Sequence, residues 1–142
     1  DTRPFPRQDL HALVTQLDLG ARVTLYDYVN EETLAALYAR ARAFVFLSEY
    51  EGFGLTPLEA MARGVPAVLL DTPVARESCG EAADYVASPD DHEALRDALL
   101  RLLADGRHHA SRVEAGRRRA AAFSWDRSAR TTFDVIRSVI AG

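Results

Sequence analysis

The stretch from Ala43 to Leu70 constrains this chain more than any other. It opens on an unbroken apolar run, Ala43-Phe44-Val45-Phe46-Leu47, and passes through a glycine-containing loop from Ser48 to Thr56. It continues through Pro57 to Arg63, and Gly64 leads into a second apolar run, Val65–Leu70. Short apolar runs bounded by glycine and proline read as strands buried on both faces, so the first is expected to be a central parallel strand. Pro57 suits the first position of a helix, where its fixed φ and missing N–H cost nothing, and Gly64 suits its end. Strand, loop, helix and strand in this order make a tight βαβ unit with a right-handed crossover.

The flanking segments extend this alternation. Arg7–Leu19 reads as a helix, with Leu10, Leu13, Val14 and Leu17 on one face and Gly20 as its stop. Val23–Tyr26 reads as a short strand. Asn30 is placed to cap a second helix, with Glu31 and Glu32 in its first turn and Leu34, Leu37, Tyr38 and Ala41 as its buried stripe. Val74–Cys79 reads as a helical turn and Tyr85–Ala87 as a strand. Asp90 and Glu93 form a candidate capping box for a helix reaching Ala104, with Leu95, Ala98, Leu99 and Leu102 on its apolar face. Two more helices are expected, about 109–122 and 125–140. Ser124 caps the last, whose stripe is Ala129, Phe133, Ile136 and Ile140.

The expected fold is α/β: a Rossmann-like open parallel sheet with helices on both faces. Four strands are few for such a sheet, and a start on a helix is unusual. The 142 residues therefore read as one domain lacking its first strands. There are no internal repeats and no low-complexity linker.

Composition narrows the function. A net charge of −4 argues against a nucleic-acid module, and all 17 basic residues are Arg. The single cysteine, Cys79, excludes an internal disulfide and reads as a buried, inert thiol. No apolar run is long enough to span a bilayer. The polar start, Asp1-Thr2-Arg3-Pro4, is no signal peptide, so the expectation is a cytoplasmic protein or a chain whose true beginning lies elsewhere.

In an open α/β sheet, ligands sit beyond the carboxyl ends of the strands. Ser48-Glu49-Tyr50-Glu51-Gly52-Phe53-Gly54-Leu55-Thr56-Pro57-Leu58-Glu59 follows such an end. Gly52 and Gly54 let backbone approach a ligand closely. The helix expected from Pro57 points its unpaired N–H groups into the loop, which suits a diphosphate, and the amides of Phe53, Gly54 and Leu55 are the candidate donors, with Thr56 closing the loop. Glu59, expected in the first helical turn, suits a pair of vicinal hydroxyls such as those of a ribose. Glu51 can reach hydroxyls of a sugar beyond the phosphates. Two carboxylates beside a phosphate pocket repel the ligand unless each accepts hydrogen bonds from it. That favours a ligand with hydroxyls at both ends and phosphate between, such as a nucleotide sugar. The alternative is an ordinary loop with Glu59 stabilising a helix start. The glycines form neither a Walker loop nor a dinucleotide fingerprint.

The stretch Phe46–Pro66 resembles the signature of retaining group 1 (family 4) glycosyltransferases: two Glu separated by seven residues, within an E-G-F-G-L-x-x-L-E-A-M-A-x-G-x-P context. Arg76–Ala83 resembles that family's E-V-x-G-x-A-A segment. Ser88-Pro89-Asp90 resembles its D-P-x-D turn, and Phe123-Ser124-Trp125 its F-S-W. The resemblance implies the GT-B architecture, in which two Rossmann-like domains face a cleft and the C-terminal one, here residues 1–142, binds the donor. It implies a hexose passing from a nucleoside-diphosphate sugar to an acceptor hydroxyl, with retention and without metal or cofactor. Glu51 would contact the transferred sugar as the catalytic residue, Glu59 the ribose, and Gly52, Phe53, Gly54, Leu55 and Thr56 the diphosphate. The acceptor would be a sugar, lipid-linked or small molecule, held by an N-terminal domain absent from this chain. The family's phosphate-neutralising Arg and Lys would likewise lie upstream, so this portion alone is expected to be inactive.

Asp27 stands where that family usually has Gly, and Cys79 where Val is common. Readings of other classes are a non-catalytic sugar-nucleotide-binding module or partner subunit, and a related epimerase. His11, His92, His108 and His109 lack metal-ligand spacing and read as surface residues. Trp125 reads as core. Arg117-Arg118-Arg119 reads as a solvated helix face, with peripheral contact to an anionic membrane, at the inner face of the cytoplasmic membrane, as the alternative. Glu77 reads either as a capping residue or as reaching the donor site.

Overall fold

The computed structural model describes residues 9–140. They divide into two compact units, Asp1–Ala35 and Ala36–Gly142.

In the first unit, helix α1 (Leu10–Gln16) is capped by Asp9, whose carboxylate accepts from the Ala12 amide at 3.0 Å. The expected start at Arg7 lies outside the described residues. The helix ends before Gly20, because Asp18 itself turns left-handed at φ 51° and the Leu19 amide closes on the Val14 carbonyl at 2.9 Å. Val23–Tyr26 is not a strand: no segment among the described residues pairs with it, and without a ladder an extended tetrapeptide has no partner for its amides. Asn30 does cap helix α2 (Glu31–Arg40), its side chain accepting from the Thr33 amide at 2.8 Å.

The second unit holds a parallel sheet of three strands, β1 (Phe44–Phe46), β2 (Ala67–Leu70) and β3 (Asp84–Val86), in the order β1-β2-β3. The central position belongs to β2, whose four residues are all buried. β1, expected at the centre, is an edge among the described residues, and Val45 is 40% exposed. An apolar run thus marks a strand with two covered faces only where neighbouring chain supplies both covers.

Between and after the strands come α3 (Leu55–Ala62), α4 (Pro73–Cys79) with a single 3-10 turn at Gly80–Ala82, α5 (His92–Ala104), α6 (Gly106–Ala121) and α7 (Trp125–Ile140). Because strand side chains alternate, β2 feeds two cores. Ala67 and Leu69 pack with Leu58 and Met61 of α3, Cys79 of α4 and Ala115 and Ala120 of α6. Val68 and Leu70 pack with Val86 and with Ala98 and Leu102 of α5. Helices therefore cover both faces of the sheet. Gly64, at φ 78°, ends α3 in the left-handed conformation, with its amide on Met61 and that of Val65 on Ala60.

Side chains cap the starts of α4, α5 and α6. Thr72 receives the Ala75 amide at 3.1 Å to start α4. Asp91, not Asp90, caps α5 by accepting from Ala94 at 3.0 Å, while the Asp90 amide is held by Ser88. Asp105 ends α5 and starts α6, accepting from the Arg107 and His108 amides at 2.9 and 3.1 Å. That moves the start of α6 to Gly106, three residues before the expected His109.

Further along α6, His108 and Arg112 converge on the buried carboxylate of Asp84 at the start of β3, at 2.6 and 2.9 Å. Arg112 also reaches the Glu81 carbonyl at 2.6 Å. His108 is therefore no free surface residue; Asp84, an ordinary residue in sequence, is what draws it inward. α7 keeps its expected bounds, but its stripe is exposed among the described residues, and Trp125, expected in the core, is 81% exposed.

Replacing Asp84 by Ala leaves His108 and Arg112 facing a carboxylate-free interior. The loss expected is about 3 kcal/mol, read from the urea midpoint. A second measurement concerns Tyr85, whose hydroxyl donates to the Gly80 carbonyl at 2.6 Å and whose ring lies 3.7 Å beneath the Arg76 guanidinium. Burial pushes its phenol up to about 12 from an ordinary 10.0. The folded state thus prefers the neutral phenol. Its stabilisation is complete below pH 10 and fades as pH rises toward about 12, so the alkaline decline in stability is steeper in wild type than in Tyr85→Phe.

Candidate functional site

The site lies where β1 runs out into the loop that precedes α3. α3 begins at Leu55, two residues before the expected Pro57, because Gly54 takes φ 84°, ψ 43° and serves as the N-cap. Pro57 is then the third helical residue, still within the turn whose amides lack intrahelical partners. Glu59 moves to the second turn and is exposed, a correction to its expected place in the first.

No side chain caps this helix start. Among the described residues, the amides of Leu55 and Thr56 donate to no carbonyl or side chain. An N-terminus with free amides and a partial positive charge attracts anions. Gly54 is required at this point for two reasons. Its φ is left-handed, and a side-chain carbon there would stand 2.9 Å from Ser78 Oγ. The end of α4 thus presses directly on the cap.

Glu51 is half-buried in a small cleft with Ser48, Gly54, Thr72 and Ser78, at the carboxyl ends of β1 and β2. Gly52 and Phe53 share a second cleft of about 180 Å³ with Glu77, Ser78, Arg119 and Phe123. Phe53 and Leu55 border a third, more apolar hollow of about 350 Å³ with Phe123 and Trp125. The structure therefore gathers Glu51, Gly52, Phe53, Gly54 and Leu55 around one helix start. Glu59 lines none of these hollows. It stands one turn beyond Leu55 on the same face of α3, near Tyr38, whose phenol is raised by burial first and by the Glu59 charge second.

Three neighbours were not singled out as site residues in the sequence. Ser78 is buried, its hydroxyl donating to the Val74 carbonyl at 2.9 Å. Phe123 meets Phe53 edge to face, with centroids 5.6 Å apart. Arg119, expected on a solvated face, donates from Nε to the Ser78 carbonyl at 2.8 Å. The helical spacing of Arg112 and Arg119, seven apart on one face with Ala115 between, was the available signal. Cys79, beside Ser78, is fully buried and its thiol is raised by that burial, as expected of an inert thiol. Glu77 is exposed and borders the second cleft, its carbonyl also bonded by Arg119.

Among the described residues, no helix is long and apolar enough to cross a membrane, and no group of His, Cys, Asp and Glu has the makings of a metal centre.

Residues 6–119 match the model of the glycosyl transferases group 1 family. The chain is 42% identical over 99 residues to the O-antigen chain mannosyltransferase B of Escherichia coli, covering 70% of this chain and 26% of that protein. It is 34% identical over 143 aligned positions to the MMP alpha-(1->4)-mannosyltransferase of Mycolicibacterium hassiacum, covering 99% of this chain and 35% of that one. The solved sucrose-phosphate synthase of Thermosynechococcus elongatus superposes with a TM-score of 0.79 at 33% identity, over 93% of this chain and 34% of that chain. A pneumococcal O-GlcNAc transferase solved with UDP and GlcNAc shares the fold, with a TM-score of 0.76 at 20% identity, over 94% of this chain and 27% of that chain. The chain thus spans about a quarter to a third of the length of these proteins.

Gly54→Ala places a side chain in the left-handed region and against Ser78. It is expected to lower stability by about 2 kcal/mol, read from thermal unfolding. The same change at Gly52, which has open space around it and no positive φ, should cost well under half as much.

Proposed function

This chain belongs to the group 1 glycosyltransferases, and from that membership we propose that the start of α3 holds the donor of a sugar transfer. The donor is a nucleoside-diphosphate sugar, and a hexose passes to an acceptor hydroxyl with retention of configuration. The observation that carries this reading is the uncapped start of α3, with Gly54 left-handed and Glu51 half-buried beside it.

The chemistry follows from the charges. As the glycosidic bond to the donor breaks, negative charge gathers on the departing diphosphate. Amides of Phe53, Gly54, Leu55 and Thr56, unpaired among the described residues, stabilise that charge with little reorganisation. Glu51, in the cleft at the strand ends, accepts hydrogen bonds from hydroxyls of the transferred sugar. Glu59, one turn along α3, accepts from the ribose. Both carboxylates need hydroxyl partners to coexist with the diphosphate, and a nucleotide sugar offers hydroxyls on either side of its phosphates. Nothing in this division of labour requires a metal.

These residues form the donor-holding domain of the whole protein, and a separate domain holds the acceptor, which is a sugar, a lipid-linked sugar or a small molecule. The similarity to proteins named as mannosyltransferases makes a mannosyl nucleotide the first donor to try. Catalysis takes place in the cytoplasm or at the inner face of the cytoplasmic membrane, where nucleotide sugars and lipid-linked acceptors meet.

In the full-length enzyme, Glu59→Ala should raise the donor KM by about 10- to 100-fold, the equivalent of one or two charge-assisted hydrogen bonds. Glu51→Gln should instead lower kcat by roughly 100-fold, with a smaller change in KM. Steady-state kinetics on a panel of nucleotide sugars measures both, and unchanged donor kinetics in the two variants would count against the assignment.

A further inference from the structure

Arg119 stands outside the glycine loop yet holds both neighbours that shape it. From the last turns of α6 it donates Nε to the Ser78 carbonyl at 2.8 Å and a second guanidinium N–H to the Glu77 carbonyl. These are carbonyls at the end of α4, a position where a helix has no internal donors left. Ser78, fixed in this way, is the residue whose Oγ lies 2.9 Å from where a Gly54 side chain would begin. The central carbon of the same guanidinium lies over the Phe123 ring, 4.8 Å from its centroid. Phe123 in turn meets Phe53 edge to face at 88°. Two separate routes therefore run from one guanidinium, through Ser78 to Gly54 and through Phe123 to Phe53.

We infer that Arg119 is a positioning residue, setting the direction of the amides at the start of α3 through Ser78 and Phe123. What those amides hold rests on the donor-site reading above; that Arg119 orders them does not. Arginine is needed for its planar fork and its flat face. One edge serves two carbonyls while the cation lies over the ring, and a lysine ammonium offers only a point charge on a flexible stem.

The test uses the full-length protein with Arg119→Ala, Arg119→Lys and Phe123→Leu, all studied well below their melting temperatures. Nitrogen-15 relaxation order parameters report on the amides of Phe53, Gly54, Leu55 and Thr56 without any ligand, and calorimetric titration with GDP and UDP reports on diphosphate binding. The order parameters of these amides should fall from the rigid range of about 0.85 to below about 0.6 in both Arg119 variants. Affinity for whichever nucleoside diphosphate binds wild type should fall by roughly 10- to 100-fold. Phe123→Leu should shift both in the same direction by less, and it carries the test together with Arg119→Lys if Arg119→Ala fails to fold. Unchanged order parameters and affinity with only a lower melting temperature would overturn the inference. So would full rescue by lysine, which would make Arg119 a simple counter-charge. If wild type binds neither nucleotide while the variants still release the amides, the donor-site reading falls and the positioning role stands.

Discussion

The burial of β2 on both faces is the constraint on which the second unit depends. Ala67, Val68, Leu69 and Leu70 are too few to hold a ladder by themselves, since a strand of this length makes only a handful of hydrogen bonds. Their side chains, pointing alternately into two clusters, hold α3, α4 and α6 against one face and α5 against the other. Each covered face contributes apolar burial at about 25 cal/mol per Å² removed from water. The loops at the carboxyl ends of β1 and β2 inherit a fixed origin from this arrangement, and the start of α3 stands where those ends open.

α6 converts that rigid frame into precision at the loop. It grips the beginning of β3 through His108 and Arg112 on Asp84, and the end of α4 through Arg119. Between the two grips lie Ala115 and Gly116, small enough for Met61 of α3 to pack against the helix backbone. A helix with small residues at its middle and long polar side chains at its ends approaches closely and is pinned at both extremes. The polar contacts carry orientation and the apolar contacts carry proximity.

Much of this was legible in the sequence, for identifiable reasons. The βαβ unit from Ala43 to Leu70 announced itself through apolar runs bounded by glycine and proline, and Gly64 ends α3 as read. Asn30 caps α2, and periodicity marks α5 and α7, although the cap of α5 is Asp91 and not the expected Asp90. The differences have separate causes. β1 reads as central from its apolar character, and among the described residues it has a strand neighbour on one side only. Pro57 drew the start of α3 two residues late, because a proline fits any position of the first turn and Gly54 hides its left-handed conformation until φ is known. Arg119 and His108 read as solvated in sequence because their partners, a carbonyl pair and Asp84, are far away along the chain and carry no local pattern. Glycine, proline and apolar spacing reveal backbone; long-range polar grips do not.

The joint at Asp105 has a consequence for how this unit tolerates change. One residue ends α5 and begins α6, so the two helices meet with no slack between them. One added residue inside the first turn of α6 would turn the rest of the helix by about 100°. His108, Arg112 and Arg119 would swing off their partners together, and the loop before α3 would lose its distant anchor through a change nowhere near it. Length variation at this joint is therefore coupled to the geometry of the glycine loop, whereas the same insertion at the tip of an exposed turn would leave that geometry untouched.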